Sequence, residues 1–184
     1  MKGRNSMYYS AVYDSPFGEI TLVCDENALK RLWFSGGRYS PDITDEEIKR
    51  TDTPLLAKTK EWLDRYFAGR RPDINELPFA PEGSDFRKLV WDILLEIPYG
   101  EVTTYGKVAA EAAGRMGRKN MSAQAVGGAV GHNPISIVIP CHRVVGSSGS
   151  LTGYAEGIDK KIALLELEGA DMTNLFVPKK GTAL

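Results

Sequence analysis

The sequence is poor in cysteine and histidine, with two of each among its 184 residues: Cys24, Cys141, His132 and His142. Two thiols so far apart in the chain provide no disulfide framework, and in a reducing compartment both are expected to be free. The chain also lacks the CxxC and HExxH patterns, which excludes the usual zinc sites. We therefore expect no metal site and no cofactor.

Long hydrophobic runs are also missing. No stretch approaches the roughly 18 apolar residues that a membrane-spanning helix needs. The first ten residues, MKGRNSMYYS, lack the apolar centre of a secretory signal, so the expected location is the cytoplasm, without a membrane partner. The hydrophobic fraction is 42% and the charged fraction 26%, a balance that excludes a disordered tail, a collagen-like fibre and a coiled-coil rod.

The chain has no large excess of charge, but its net charge of −1 conceals an asymmetry. Residues 1–84 hold 12 basic and 14 acidic side chains, whereas residues 105–145 hold five basic side chains and one acid, Glu111. Because affinity for nucleic acid depends on a local basic face, the net charge does not exclude DNA as a partner. A solvated surface would give the same local excess.

The first lobe is predicted to be a small sheet followed by a helix. Apolar segments that alternate with turn signals predict three strands, at residues 8–14, 19–24 and 29–34, and a loop rich in Ser, Gly and Pro follows. Thr53 as N-cap, Pro54 in the first turn and Gly69 beyond the last turn then bound an amphipathic helix.

The second lobe is predicted to be helical. Ser84 is placed to cap a helix with a full apolar stripe. Thr104 can cap a short helix over 105–112, and Ser122 another over 123–130. Two short helices joined by a glycine- and cation-rich turn have the outline of a helix-turn-helix, for which a plain helical hairpin is the alternative.

Two adjacent glycines, Gly127 and Gly128, lie inside the second of these helices. Each costs about 1 kcal/mol relative to Ala in a helix interior. Close approach of a phosphate strand, or of a tightly packed neighbouring helix, would offset that cost.

The candidate chemistry begins at Cys141. The β-branched residues 135–139 predict a buried strand, which Pro140 ends, and His142 and Arg143 follow the cysteine. Only thiolate attacks, and nearby positive charge lowers the pKa of a thiol, so Cys141 is a candidate nucleophile. The alternative is a small buried apolar residue, and His142 would reach the thiol only through a turn or a bridging water.

An acid could complete this set. Asp159 is placed to cap a helix that ends near Gly169, and Glu168 lies at that end. A carboxylate there could orient His142 and keep it basic, as in a Cys–His–Glu relay, whereas the alternative is a surface acid.

Several ordered motifs resemble one family. Residues 138–146 (VIPCHRVVG), preceded by 131–134 (GHNP) and 125–128 (AVGG), resemble the active-site signature of the O6-alkylguanine-DNA alkyltransferases, the methylated-DNA–protein-cysteine methyltransferases. Residues 97–100 (IPYG) and 167–169 (LEG) extend the match in order. It covers nearly half of the chain.

The resemblance implies a fold, an activity and a partner. The fold is a two-lobed α/β (α+β) protein: a ribonuclease-H-like supporting domain at 1–80, a helix-turn-helix (winged-helix-like) domain at 84–172, and a tail at 173–184. The activity is DNA repair, in which an alkylated guanine, and also O4-alkylthymine, is flipped from double-stranded DNA. Its alkyl group moves irreversibly to Cys141, so each molecule acts once. We expect a monomer.

The resemblance also implies residue roles. Cys141 is the nucleophile, His142 the base that acts through a water, and Glu168 the acid that holds the histidine. Asn133 is a hinge residue, and Tyr105 stabilises the flipped nucleotide and protonates the departing guanine. The implied pocket residues are Ser136, Val144, Ser147, Gly149, Tyr154 and Ala155. The implied DNA-binding residues are Thr104, Gln124, Ala125, Gly127, Gly128 and Arg143.

One position departs from the family pattern. Where the family commonly has an arginine that fills the gap left by the flipped base, this chain has Gln124. Glutamine is shorter and uncharged, so we expect weaker and less salt-dependent binding to duplex DNA than in relatives with the arginine.

Two other functions compete with alkyl transfer. A non-enzymatic alkyl-lesion binder or helix-turn-helix regulator would use the same DNA-binding lobe, but proteins of that kind lack the cysteine. A Cys–His hydrolase would need an oxyanion loop that is not evident, and it would leave Gly127 and Gly128 unexplained.

Overall fold

The computed structural model describes residues 7–36 and 48–179 and shows a mixed α/β fold, with a sheet in the first lobe and helices in the second. The first lobe holds β1 (Tyr8–Ser15), β2 (Gly18–Cys24), β3 (Leu29–Phe34) and β4 (Ile48–Arg50). The strand order is β3-β2-β1-β4, with β1 antiparallel to β2 and parallel to β4. The three predicted strands are confirmed. Most of the loop predicted after them lies outside the described residues.

Helix α1 (Pro54–Phe67) covers the sheet. It begins as predicted, since the Thr53 side chain accepts a hydrogen bond from the Leu56 N–H. Trp62 and Tyr66 are buried on its inner face, and their rings stack 5.5 Å apart. Burying such aromatic side chains contributes strongly to the core.

The second lobe holds α2 (Asp85–Leu95), α3 (Tyr105–Arg115), α4 (Ala123–Gly131) and α5 (Ile158–Leu167). The caps predicted at Ser84, Thr104 and Ser122 are confirmed by hydrogen bonds to the first turns. Helix α3 runs three residues beyond the predicted 105–112. The cap of α5 is Gly157, with φ 105°, and the prediction that Asp159 fills this place was wrong because Asp159 already lies in the first turn.

Helices α2, α3 and α4 pack against one another. The buried Trp91 of α2 donates its indole N–H to the Ala129 carbonyl of α4 at 2.9 Å. A short parallel ladder between β5 (Thr103–Thr104) and β6 (Val144–Val145) connects the entrance of α3 to the segment that follows Cys141.

The predicted strand at 135–139 was wrong. Of these residues only Ile135 makes a β-bridge, to Leu32, and the rest form a buried turn in which Ile137 has φ 69°. The Asn133 side-chain oxygen accepts a hydrogen bond from the Ile135 N–H, and the left-handed backbone conformation of Ile137 cannot continue a strand. A β-branched residue in this conformation costs about 1–3 kcal/mol, which the surrounding core sustains.

The two lobes share one core. The Leu32 N–H donates to the Pro134 carbonyl at 2.9 Å, and the Ser136 N–H donates to the Leu32 carbonyl at 2.8 Å. The main buried cluster runs without a break from the first-lobe sheet to α2, α3, α4 and the turn before Cys141. The site is therefore held from both lobes.

Candidate active site

Cys141 begins a short 3-10 helix (Cys141–Arg143) and is 5% exposed. Asn133 holds it in place: its amide donates to Sγ at 3.1 Å and to the Ile139 carbonyl at 2.8 Å. The other end of the same amide accepts the Ile135 N–H at 3.0 Å. Asn133 thus connects the end of α4 to Cys141, the candidate nucleophile, and to the turn before it.

The thiol is not activated in the resting structure. Burial raises the pKa of Cys141 to about 12, although the hydrogen bond from Asn133 opposes this shift. The low pKa expected from neighbouring positive charge is not found, because burial outweighs the lowering effect of Lys161 and the Arg143 guanidinium bonds to other groups. The thiol therefore needs a base to accept its proton.

His142 is fully buried, and its Nε2 lies 2.8 Å from Glu168 Oε1. Burial lowers the pKa of His142, so the ring is neutral. A neutral ring beside a carboxylate carries its hydrogen on Nε2, which leaves Nδ1 as an acceptor. Nδ1 is buried without a hydrogen-bond partner among the described residues, so it is available to take a proton.

Glu168 is the centre of a buried polar network. Arg143 donates to its two oxygens at 2.8 and 2.9 Å, and the Tyr66 hydroxyl and the Gly100 N–H donate to it at 2.6 and 3.2 Å. Burial alone would raise the pKa of Glu168, but the hydrogen bonds from His142 and Arg143 hold it well below its usual range. Glu168 is therefore ionised and rigid.

This network contradicts one predicted DNA contact. Arg143 is 8% exposed, and its remaining guanidinium N–H groups reach the Ile97 carbonyl at 2.6 Å. Since Glu168 and that carbonyl occupy its donors inside the core, the guanidinium is not available to a phosphate.

Tyr105 is 5% exposed at the first position of α3. Its hydroxyl donates to the Thr152 and Gly153 carbonyls at 3.2 and 3.3 Å. Burial raises its pKa above the usual range, so it is a proton-bearing donor. These hydrogen bonds hold residues 152–153, directly before Tyr154, against the start of α3.

A cavity of about 40 Å³ adjoins the sulfur. Cys141, Asn133, Ser136, Tyr154 and Ala155 line it, together with Gly153, Glu156 and residues of α4 and β3. It has room for about two or three waters but not for a purine. The site is therefore closed in this structure.

Three predicted pocket residues do not line this cavity. Val144 is buried behind the sulfur, with its carbonyl engaged by Lys161. Ser147 is exposed in a turn, and Gly149 packs on the Asn174 carbonyl of the C-terminal segment.

Sequence reasoning missed Lys161, Glu156 and Tyr66. Lys161 is fully buried, its ammonium donates to the Val144 and Thr152 carbonyls, and burial lowers its pKa to about 8. One signal was present: Lys161 lies four residues before Leu165, on the apolar face of α5. Tyr66 reaches the site from the first lobe, Glu156 is held there by the Phe34 N–H of the first lobe, and no local pattern marks either residue.

The candidate DNA-binding face is on α4. Gln124, Ala125 and Gly128 are exposed, Thr104 is half-buried, and Gly127 is buried. A Cβ at Gly128 would meet nothing within 4 Å, so close packing of a neighbouring helix does not explain that glycine. Exposed Lys107, Arg118 and Lys119 flank this face, whereas Glu96 and Glu111 bind Arg115.

Within residues 7–36 and 48–179, no three His, Cys, Asp or Glu side chains lie close enough to hold a metal ion. No helix in that part of the chain is long and apolar enough to cross a membrane.

Comparisons with known proteins cover both lobes. Residues 7–81 match the family model described as "6-O-methylguanine DNA methyltransferase, ribonuclease-like domain", and residues 85–170 match its DNA binding domain. A methylated-DNA–protein-cysteine methyltransferase of Methanosarcina acetivorans is 43% identical over 89% of this chain and 99% of its own. One from Haemophilus influenzae is 37% identical over 89% of this chain and 87% of its own.

A solved structure of a relative has the same fold over both lobes. The Mycobacterium tuberculosis OGT in complex with DNA superposes with a TM-score of 0.76 and 40% identity, over 88% of this chain and 93% of the other. Sequence and structure thus match over both lobes, and the chain belongs to the 6-O-methylguanine DNA methyltransferase family.

Proposed function

We propose that this protein repairs alkylated DNA by transferring the alkyl group from guanine O6 to Cys141. One observation carries the proposal: the buried sulfur of Cys141 lies beside a small cavity, and a neutral histidine fixed by a buried carboxylate follows it. Family membership and the DNA-bound relative support DNA as the partner. The named relatives support the transferase activity.

The chemistry follows from the geometry. His142 Nδ1 accepts the thiol proton through a bridging water while Glu168 holds the ring, and the sulfur attacks the alkyl carbon. The S–C bond forms as the C–O6 bond breaks, and the electron pair passes to guanine. Tyr105 donates to the departing base, which would otherwise leave as an anion.

The closed cavity requires an opening step. A guanine O6 atom cannot be reached inside a stacked duplex, so the base must flip out at a cost of a few kcal/mol. Tyr105 must then exchange its bonds to the Thr152 and Gly153 carbonyls for the base. Release of these bonds frees the segment before Tyr154 to make room.

The exposed face of α4 is assigned to the duplex. In this proposal Gln124 occupies the gap left by the flipped base, and the absence of a side chain at the exposed Gly128 allows a phosphate strand to approach closely. Family membership supports O4-alkylthymine as a second substrate of the same transfer. The protein acts as a monomer in the cytoplasm.

A stable thioether implies that each molecule acts once. The proposal is tested by incubating the protein with duplex DNA containing O6-methylguanine and measuring its intact mass. One methyl group should replace the thiol hydrogen in the wild type and in Cys24→Ser, and none should be added to Cys141→Ser. Cys24 is the matched control, because it is the other free buried cysteine. DNA binding without any adduct would instead identify a non-enzymatic lesion binder.

A further inference from the structure

Glu156 is a buried ionisable side chain that the proposed mechanism does not use. It lines the same cavity as Cys141. Its Oε1 atom accepts the Phe34 N–H at 3.1 Å and the Ser136 hydroxyl at 2.8 Å. Since Phe34 ends β3 in the first lobe, these bonds fix the carboxyl group from both lobes.

The second oxygen of Glu156 is in a different situation. Oε2 is buried and makes no hydrogen bond of good geometry in the described part of the chain. The neighbouring Tyr154 hydroxyl makes none either, although it lies close enough to Glu156 to lower the pKa of the carboxyl group. Buried polar atoms are nearly always paired, so an unpaired one beside a cavity indicates a group that arrives with a ligand.

The surroundings of Glu156 favour its neutral form. Among residues 7–36 and 48–179 no cation forms an ion pair with it: Lys160 pairs with Asp159 and affects Glu156 only through its charge, which lowers the pKa of the carboxyl group, and Lys161 donates to two carbonyls. The other titratable groups facing it, Cys141 and Tyr154, bear no positive charge. A buried carboxylate without a cation is costly, and burial raises the pKa of Glu156. Because Oε1 already accepts twice, a hydrogen on this carboxyl group would lie on Oε2, which would then be a donor.

The base that enters this cavity offers a matching acceptor. Alkylation of O6 removes the hydrogen from N1, so N1 of O6-alkylguanine accepts a hydrogen bond, whereas N1 of guanine carries a hydrogen and donates. N1 is bonded to the carbon that bears O6, and O6 must approach the sulfur that shares the cavity with Glu156. We propose that Glu156 donates a hydrogen bond from Oε2 to N1 of the flipped base and so selects alkylated guanine over guanine. This inference rests on the proposed function.

The test removes the acceptor and the donor separately. Methyl transfer rates are measured on duplexes carrying O6-methylguanine, its 1-deaza analogue, in which C–H replaces N1, or its 7-deaza analogue, in which C–H replaces N7. Wild type, Glu156→Gln and Glu156→Ala are compared. Gln is the matched control, because its amide N–H can still donate while its oxygen still accepts from Phe34 and Ser136.

We expect the preference for O6-methylguanine over the 1-deaza analogue to be about tenfold larger in the wild type and Glu156→Gln than in Glu156→Ala, as one hydrogen bond predicts. The 7-deaza analogue should show no such dependence on the variant. Equal 1-deaza preferences in all three proteins, or a variant-dependent 7-deaza preference, would overturn the inference. Those results would leave the proposed function intact, whereas a wild type that forms no adduct with O6-methylguanine would refute the function itself.

Discussion

Replacement of Glu168 by Ala tests the buried network most severely. Glu168 is 2% exposed, and it accepts hydrogen bonds from Arg143, Tyr66 and His142. Its removal leaves the Arg143 guanidinium, 8% exposed, without a counter-charge. The position of the His142 ring would no longer be fixed.

The magnitude follows from this burial. Breaking a buried ion pair by removing one partner costs about 3–5 kcal/mol, because the other charge stays buried. For a protein of this size, about 2–4 °C is lost per kcal/mol, so the melting temperature should fall by about 6–20 °C. Glu168→Gln keeps the shape and some of the hydrogen bonds, and it should lose less.

The assay is urea and thermal unfolding followed by circular dichroism. Arg115→Ala is the control, since it breaks two more exposed ion pairs, with Glu96 and Glu111, each of which contributes at most about 1 kcal/mol. If Glu168→Ala cost no more than Arg115→Ala, the buried network would not stabilise the fold, and the reasoning would be refuted.

Three further predictions concern other parts of the molecule. Gly149→Ala should destabilise the protein by more than about 1 kcal/mol in urea unfolding. Gly149 has φ 90°, and a Cβ there would lie 2.1 Å from the Asn174 carbonyl oxygen. Gly128→Ala is the control, because a Cβ at Gly128 meets open space. Gln124→Arg should tighten binding to duplex DNA at low salt and steepen its salt dependence by about one unit of slope, and an unchanged affinity would contradict this. His142 is buried and neutral, because burial lowers its pKa in the folded protein. In the unfolded chain its pKa is about 6.5, so below that pH the unfolded state binds an extra proton and stability should fall as the pH drops from 7.5 to 5.5. In His142→Phe that fall should be smaller, and equal losses would show that this residue does not contribute.

Local hydrogen bonds explain why much of the fold was predictable from the sequence. The caps at Thr53, Ser84, Thr104 and Ser122 each involve residues two or three positions apart, so the sequence displays them directly. The three strands of the first lobe follow from alternating apolar segments bounded by turns. The three-residue β4 presents no such pattern.

The turn before Cys141 shows where local reasoning fails. Residues 135–139 have the composition of a strand, but the Asn133 side chain and contacts with Leu32 of the other lobe override that propensity. The predicted DNA contact of Arg143 was wrong for a related reason: the sequence does not show whether a cation next to a candidate nucleophile faces solvent or a buried acid.

The contacts that complete the site join distant parts of the chain. Tyr66 reaches Glu168 across 102 positions, and Glu156 reaches Phe34 across 122. The motif around Cys141 predicted the nucleophile and its histidine, whereas the supports from the first lobe became visible only in the folded chain.

The central claim is that Cys141 is consumed as it repairs DNA. The most direct measurement titrates an excess of O6-methylguanine duplex against known amounts of protein and counts repaired bases after the reaction stops. The account predicts a plateau at one repaired base per protein molecule, with the methyl group on the peptide that contains Cys141. Repair that continues beyond one base per molecule, or a methyl group found on Cys24, would contradict it.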